Sequence, residues 1–296
     1  MKNKTITRRA FLSSAAAAGA VMFAPPRRAR AQAAESSPPG KIDLAFFGWS
    51  DQHVGTKGQA DHLLPAIDAM NALPGTALPE GIGGKVPPPA FVFGCGDITD
   101  WPTHAAKVRY DELMTRRLKF PFYDVMGNHD TGGKVRSKTI ENYLLQRHKS
   151  LSYTFESGGV RFIAVYSEFD DSLNSPAQPI TKEALAYIHN EIAKAPAGQP
   201  IIVATHLCLD SITNSKEMAA ALEGGRVAMV LGGHYHKASV RMLGKVPFVQ
   251  LPAPDPKFPP EITFIRITER RKLALPYDYR RKAWVDDPRK VLDAPL

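Results

Sequence analysis

Five apolar runs in this chain each end on a short cluster of Asp, Asn or His residues, and that recurrence limits the fold more than any other feature. The clusters are Asp51-Gln52-His53, Gly96-Asp97-Ile98-Thr99-Asp100, Gly127-Asn128-His129-Asp130, Thr205-His206 and Gly233-His234-Tyr235-His236. The runs before them, 42–49, 90–93, 120–126, 201–204 and 227–231, are short and bounded by Gly, Pro or polar residues. Runs of that kind fit strands buried on both faces of a sheet that helices cover. In open α/β sheets the carboxyl ends of the strands form the crevice where ligands gather, so residues far apart in sequence meet there.

Helical patterns fill the intervals at 59–73, 103–119, 181–195 and 216–223. In the third, Leu185, Ile188 and Ile192 share one face, and Gly198 offers a stop. Glu156-Ser157-Gly158-Gly159 separates two strand-like runs, 153–155 and 160–165, and predicts a β-hairpin. Further strands are expected at 246–251, 261–267 and 272–275. This order predicts an α/β fold, a four-layer α-β-β-α sandwich of two mixed sheets with the polar clusters at the C-terminal strand ends. Residues 74–89, rich in Gly and Pro, read as an irregular insertion, and the basic stretch 280–290 reads as solvated surface.

The first 33 residues read as an address. Lys2, Lys4 and Arg8-Arg9-Ala10-Phe11-Leu12 precede a weakly apolar stretch to Ala24 and the small-residue site Ala31-Gln32-Ala33. This resembles a twin-arginine export signal, which implies export machinery as a partner and a periplasmic or extracellular location. The apolar stretch is shorter than the ~20 residues of a spanning helix, and no later run is long enough, so no stable membrane insertion is expected. Residues 34–40 form a flexible lead-in and 41–296 a single domain. The net charge of +9 shrinks once the seven basic residues of the signal are set aside, leaving 31 basic against 29 acidic residues. Nothing in that balance calls for a nucleic-acid polymer as partner. Cys95 and Cys208 are too few for a disulfide scaffold and read as buried thiols, although a bridge between them is conceivable in an oxidising compartment.

Together the clusters offer carboxylate and amide oxygens with imidazole nitrogens, a donor set suited to zinc, manganese or iron rather than calcium or copper(I). Their order and content resemble the calcineurin-like metallophosphoesterase superfamily over residues 42 to about 252. The resemblance implies that Asp51, His53 and His236 bind one divalent ion and that Asn128, His206 and His234 bind a second. It further implies that Asp97 bridges the two and that His129 stands over the substrate. Asp-x-Gly and the Tyr of purple acid phosphatases are absent, since His53 and Asp100 occupy those positions, and the phosphodiesterase-like branch is the better match.

Two divalent ions would outweigh the charges of Asp51 and Asp97, leaving positive charge for a phosphate, and a metal-bound hydroxide can attack phosphorus in line. His129 is the candidate proton donor, with Asp130 either holding its imidazole or capping the turn. Asp100 is expected to support these residues rather than to bind metal. Trp101 and Tyr235 read as packing at loop bases ahead of a pocket wall, His104 as a surface residue at a helix start, and Lys134, Arg136 and Lys237 as ordinary surface cations. The expected function is an exported phosphodiesterase acting on a small phosphate ester such as a cyclic nucleotide. A phosphomonoesterase or nucleotidase, or a non-catalytic metal-binding protein, is the alternative.

Overall fold

The computed structural model describes residues 42–173 and 175–296, so the expected export signal (1–33) and lead-in (34–40) lie outside the described residues. The first half alternates β1 (Asp43–Trp49), α1 (Leu64–Ala72), β2 (Val92–Gly94), α2 (His104–Glu112), β3 (Phe122–Asp124) and α3 (Thr139–His148). A hairpin of β4 (Tyr153–Ser157) and β5 (Val160–Ala164) leads into α4 (Lys182–Ala193), β6 (Pro200–Ala204), α5 (Ser215–Ala221) and β7 (Arg226–Gly232). The remaining strands are β8 (Ser239–Leu243), β9 (Val246–Gln250), β10 (Glu261–Thr268), β11 (Arg271–Asp278), β12 (Ala283–Trp284) and β13 (Leu292–Pro295).

They form two mixed sheets. One runs β12-β11-β10-β1-β2-β3, with β13 also on β11, and the other runs β4-β5-β6-β7-β9-β8. β1, β2 and β3 are parallel, as are β5, β6, β7 and β9. Strand alternation then builds three apolar layers. On β1, Leu44 and Phe46 point into the layer between the sheets, where they meet Phe93, Phe162 and Ile265. Ala45, Phe47 and Trp49 point the other way, against Ile67 and Met70 of α1 and Tyr110 of α2. Ile201 and Val203 of β6 pack with Ile188 and Ile192 of α4 and Met218 of α5. Three layers between four ranks of structure are the sandwich that the sequence predicts.

Local chemistry sets the element ends. Thr103 caps α2, its Oγ1 accepting from the Ala106 amide at 3.1 Å, and Thr181 caps α4 through the Ala184 amide at 3.3 Å. The helix expected over 103–119 is regular only to Glu112 and continues as a π-helical turn, Leu113–Arg117. The hairpin turns on Gly158 and Gly159, both at positive φ (55° and 78°), as a two-residue turn between strands requires. Residues 74–89 hold no helix or strand, only an isolated bridge between Ala77 and Lys85. Both cysteines are buried and free. No helix among the described residues is long and apolar enough to cross a membrane.

Candidate metal centre

The loops leaving β1, β2, β3, β6 and β7 carry the five clusters, and their backbones are laced together. Asp51 donates its amide to the Gly96 carbonyl and His53 to that of Asp97, each at 2.9 Å, and Gly233 donates to His206 at 2.7 Å. Seven non-glycine residues among those described have positive φ, and five of them are Asp51, His53, Asp97, His234 and His236. Such backbone is costly and survives where the surroundings over-determine it, so its concentration on the predicted donors marks a built site. Gly127 is needed for closeness, because a Cβ there would overlap the carboxylate and amide of Asp97.

Around the first point, His236 Nε2 stands 3.4 Å from Asp51 Oδ1 and 3.2 Å from His53 Nε2. Around the second, His206 Nε2 is 3.0 Å from Asn128 Oδ1, 3.2 Å from His234 Nδ1 and 3.3 Å from Asp97 Oδ2. Asp97 Oδ2 also lies 3.9 Å from His53 Nε2, between the two groups. Ligands bonded at about 2.0–2.1 Å to one cation stand roughly 3.0–3.4 Å apart, the spacing of an octahedral or tetrahedral edge. The donors around His206 are therefore at edge spacing, as is His236 with each of its two partners, while Asp51 Oδ1 and His53 Nε2 stand wider, 4.0 Å apart.

Tautomers support that fit. His206 Nδ1–H donates to the Cys95 carbonyl at 2.7 Å and His234 Nε2–H to the Pro176 carbonyl at 2.8 Å, so each ring turns its other nitrogen inward. Those lone pairs and the Asn128 oxygen face one another, an arrangement that repels unless a positive charge sits among them. Burial works against a charged His206, yet the Asp97 carboxylate and its hydrogen bond outweigh burial and push the ring up to about 9. Burial and the neighbouring His206 charge push His234 down to about 4. Burial alone would raise Asp97, but the His206 charge holds it well below the usual carboxylate range. A proton on His206 thus stands where a cation would bind, and a bound cation would displace it.

His129 lies at the rim, its side chain 41 % exposed, with Nδ1–H donating to the Asp100 carbonyl at 2.9 Å. One of its ring nitrogens is also within 4.8 Å of the His53 and Asp97 donor atoms. The expectation that Asp130 holds the His129 imidazole is corrected. Asp130 is fully buried, and its carboxylate accepts from the amides of Ile98, Thr99 and Gly127 and from the Thr99 hydroxyl. It is the turn-capping carboxylate of the alternative reading, clamping the loop after β2 to the loop after β3. Burial first, then the Asp97 charge, push it up to about 7, against the pull of those amides. The Asp100 carboxylate lies 4.0 Å from both His53 Nδ1 and His129 Nδ1, a supporting position. His104 is exposed at the first residue of α2. Trp101 is 43 % exposed and does not fill a loop base.

Three supporting groups carry no signal in the sequence: the Cys95 and Pro176 carbonyls, and Asp124. Asp124 is buried beside Gly94 and Gln52, accepts from the Tyr110 hydroxyl at 2.7 Å, and is pushed up to about 6 by burial despite Arg147 and Tyr110. An acid raised above its unfolded value of 3.8 leaves folding unaffected below pH ~4 and weakens it as pH climbs to ~6, by up to about 3 kcal/mol. Asp124→Asn is therefore expected to be neutral near pH 4 and increasingly stabilising up to pH ~6, then level, in denaturant titrations at several pH values. A flat difference between variant and parent would contradict the burial argument.

Within sandwiches of two mixed sheets, clustered carboxylate, amide and imidazole donors at the strand ends mark the metal-dependent phosphoric ester hydrolases. The chain belongs to the calcineurin-like phosphoesterase family, which matches residues 49–238. It is 24 % identical over 209 residues to the probable glycerophosphodiester phosphodiesterase GpdQ of Arcobacter nitrofigilis, covering 67 % of this chain and 73 % of that one. Over 178 residues it is 29 % identical to the serine/threonine-protein phosphatase CPPED1 of Mus musculus, covering 53 % of this chain and 57 % of the phosphatase. The chain thus spans little more than half the length of that relative. GAP50, the anchor in the inner membrane complex of Plasmodium, shares the fold, with a TM-score of 0.59 and 12 % identity over 86 % of this chain and 90 % of its own.

Proposed function

We propose that the protein is an exported phosphodiesterase that works with two divalent cations. The observation that carries this reading is the pair of donor groups joined at Asp97: His236 Nε2 lies 3.2 Å from His53 and 3.4 Å from Asp51, and His206 Nε2 lies 3.0 Å from Asn128, 3.2 Å from His234 and 3.3 Å from Asp97. Asp51, His53 and His236 would hold one cation, Asn128, His206 and His234 the other, and Asp97 both. Manganese, iron and zinc all suit these donors. Bound cations supply Lewis acidity and lower the pKa of water.

The chain's own residues do the rest. The Cys95 and Pro176 carbonyls fix which imidazole nitrogens face inward, and Asp130 holds the loops that carry Asp97 and Asn128 in register. His129, with Nδ1–H anchored on a carbonyl, presents Nε2 at the rim, where its protonated form gives a proton to the departing alkoxide. Preference for diesters rests on the similarity to a probable glycerophosphodiester phosphodiesterase. The similarity to a protein phosphatase supports monoesters as the second reading. Nitrophenyl mono- and diesters, assayed side by side, are expected to favour the diester, with both activities lost to chelator and restored by manganese. Hydrolysis indifferent to chelation would overturn the mechanism, and a monoester preference would select the second reading.

Export rests on the Arg8-Arg9 pair and the Ala31-Gln32-Ala33 site. Changing both arginines to lysine is expected to hold the precursor in the cytoplasm on cell fractionation. Unchanged export would exclude a twin-arginine route. A protein exported already folded would take its metals in the cytoplasm, which favours manganese or iron over zinc.

A further inference from the structure

We propose that three aromatic side chains bordering the centre, Trp101, Tyr235 and Phe258, form a subsite for the organic part of the ester, and that it takes a planar or apolar group such as an aryl ring or nucleobase. The proposal rests on the phosphoesterase reading and adds a substrate class to it.

Two of the rings stand against histidines of the centre, and the third follows a residue that supports it. Phe258 meets His236 edge-on, ring centres 4.7 Å apart, and Tyr235 lies tilted against His234 at 5.1 Å. Trp101 follows directly on Asp100, whose carbonyl anchors His129. Its indole lies over the turn at Gly133, 3.6 Å from where a Cβ would be. The aromatic rings are thus spread over three segments of the border, two beside a histidine proposed for each cation and one on the residue that follows the anchor of the proposed proton donor.

Exposure singles out the same border. Among the described residues five large apolar side chains are exposed, and Trp101, Val135 and Leu173 are three of them. Isolated exposed apolar residues need no explanation, but these belong to loops joined to one another. Trp101 rests on the turn that carries Val135, and the adjacent Arg136 donates to the Phe169 carbonyl at 3.3 Å and pairs with Asp171 at 3.2 Å on the segment leading to Leu173. Phe169 in turn packs against His206 at 5.7 Å. Arg136 is therefore committed to holding loops together, and Lys237 places Nζ 5.9 Å above the Phe258 ring. Aromatic rings on this border would add stacking and the removal of apolar surface from water to whatever its charged groups contribute.

The test measures affinity rather than turnover, because aryl groups leave more easily whatever the pocket. Phenylphosphonate and methylphosphonate present the same anion to the cations, have no ester bond to break, and differ only in the group that the border would touch. With manganese-loaded protein, calorimetry is expected to give phenylphosphonate about tenfold tighter binding, the gain from one stacked ring. Trp101→Ala and Phe258→Ala should each shrink that ratio severalfold without altering methylphosphonate binding or manganese content, and Trp101→Phe should restore most of it. Equal affinity for the two ligands, or a ratio that neither alanine variant changes, would overturn the subsite while leaving the phosphoesterase reading intact. Failure to bind either phosphonate would overturn both.

Discussion

Replacing Asp97 with alanine is expected to lower hydrolysis by about a thousandfold or more, roughly 4 kcal/mol of barrier, while the chain still folds. Asp97 places one carboxylate oxygen between the two donor groups, and its other oxygen accepts the His129 amide at 2.9 Å. Its loss removes the ligand proposed for both cations, removes the carboxylate that sustains a charge on His206, and frees the backbone of the residue proposed as proton donor. Elemental analysis should find fewer than two cations per chain, and circular dichroism should be unchanged. A variant that keeps both cations and hydrolyses within tenfold of the parent would show that Asp97 is not shared.

His129→Ala tests a separate step and should leave the cations in place. General acid catalysis contributes about 10²–10⁴-fold, so kcat should fall by that factor for an ester with an alkyl leaving group. The loss should be much smaller for a nitrophenyl leaving group, which departs without a proton. KM should move less than kcat, because the ring acts as charge develops on the leaving oxygen. An equal loss for both leaving groups would remove the proton-donor role and favour one through His53 and Asp97, whose donor atoms lie within 4.8 Å of a His129 ring nitrogen.

The parts of the fold legible from sequence are those where one physical rule dominates. Buried strands show as apolar runs, Thr181 and Gly198 bracket a helix, and the Gly158-Gly159 pair makes a hairpin almost unaided. α3 leaves little signal because its buried face is only Ile140, Tyr143 and Leu144, set after a Gly-rich and basic stretch. β8 leaves little signal because it is an edge strand with no buried residue and hence no alternation, and β13 because its partner β11 supplies the order that its own sequence lacks. At the centre, donor types and their order were readable because chemistry restricts them. Asp130 was not, since a turn-capping carboxylate and a histidine-orienting one have the same spelling and differ only in which groups they face. The Pro176 carbonyl that orients His234 leaves no trace in sequence, because every residue has one.

The placement of the donors on the two sheets has a mechanical consequence. Asp51, His53, Asp97 and Asn128 hang from strands of one sheet, whereas His206, His234 and His236 hang from strands of the other. A cation pair seated among them is a rivet through both halves of the sandwich, so part of its binding energy goes into clamping the halves at that edge. Amide hydrogen exchange along the loops after β1 and β7 would then report the presence of metal as faithfully as any assay of turnover.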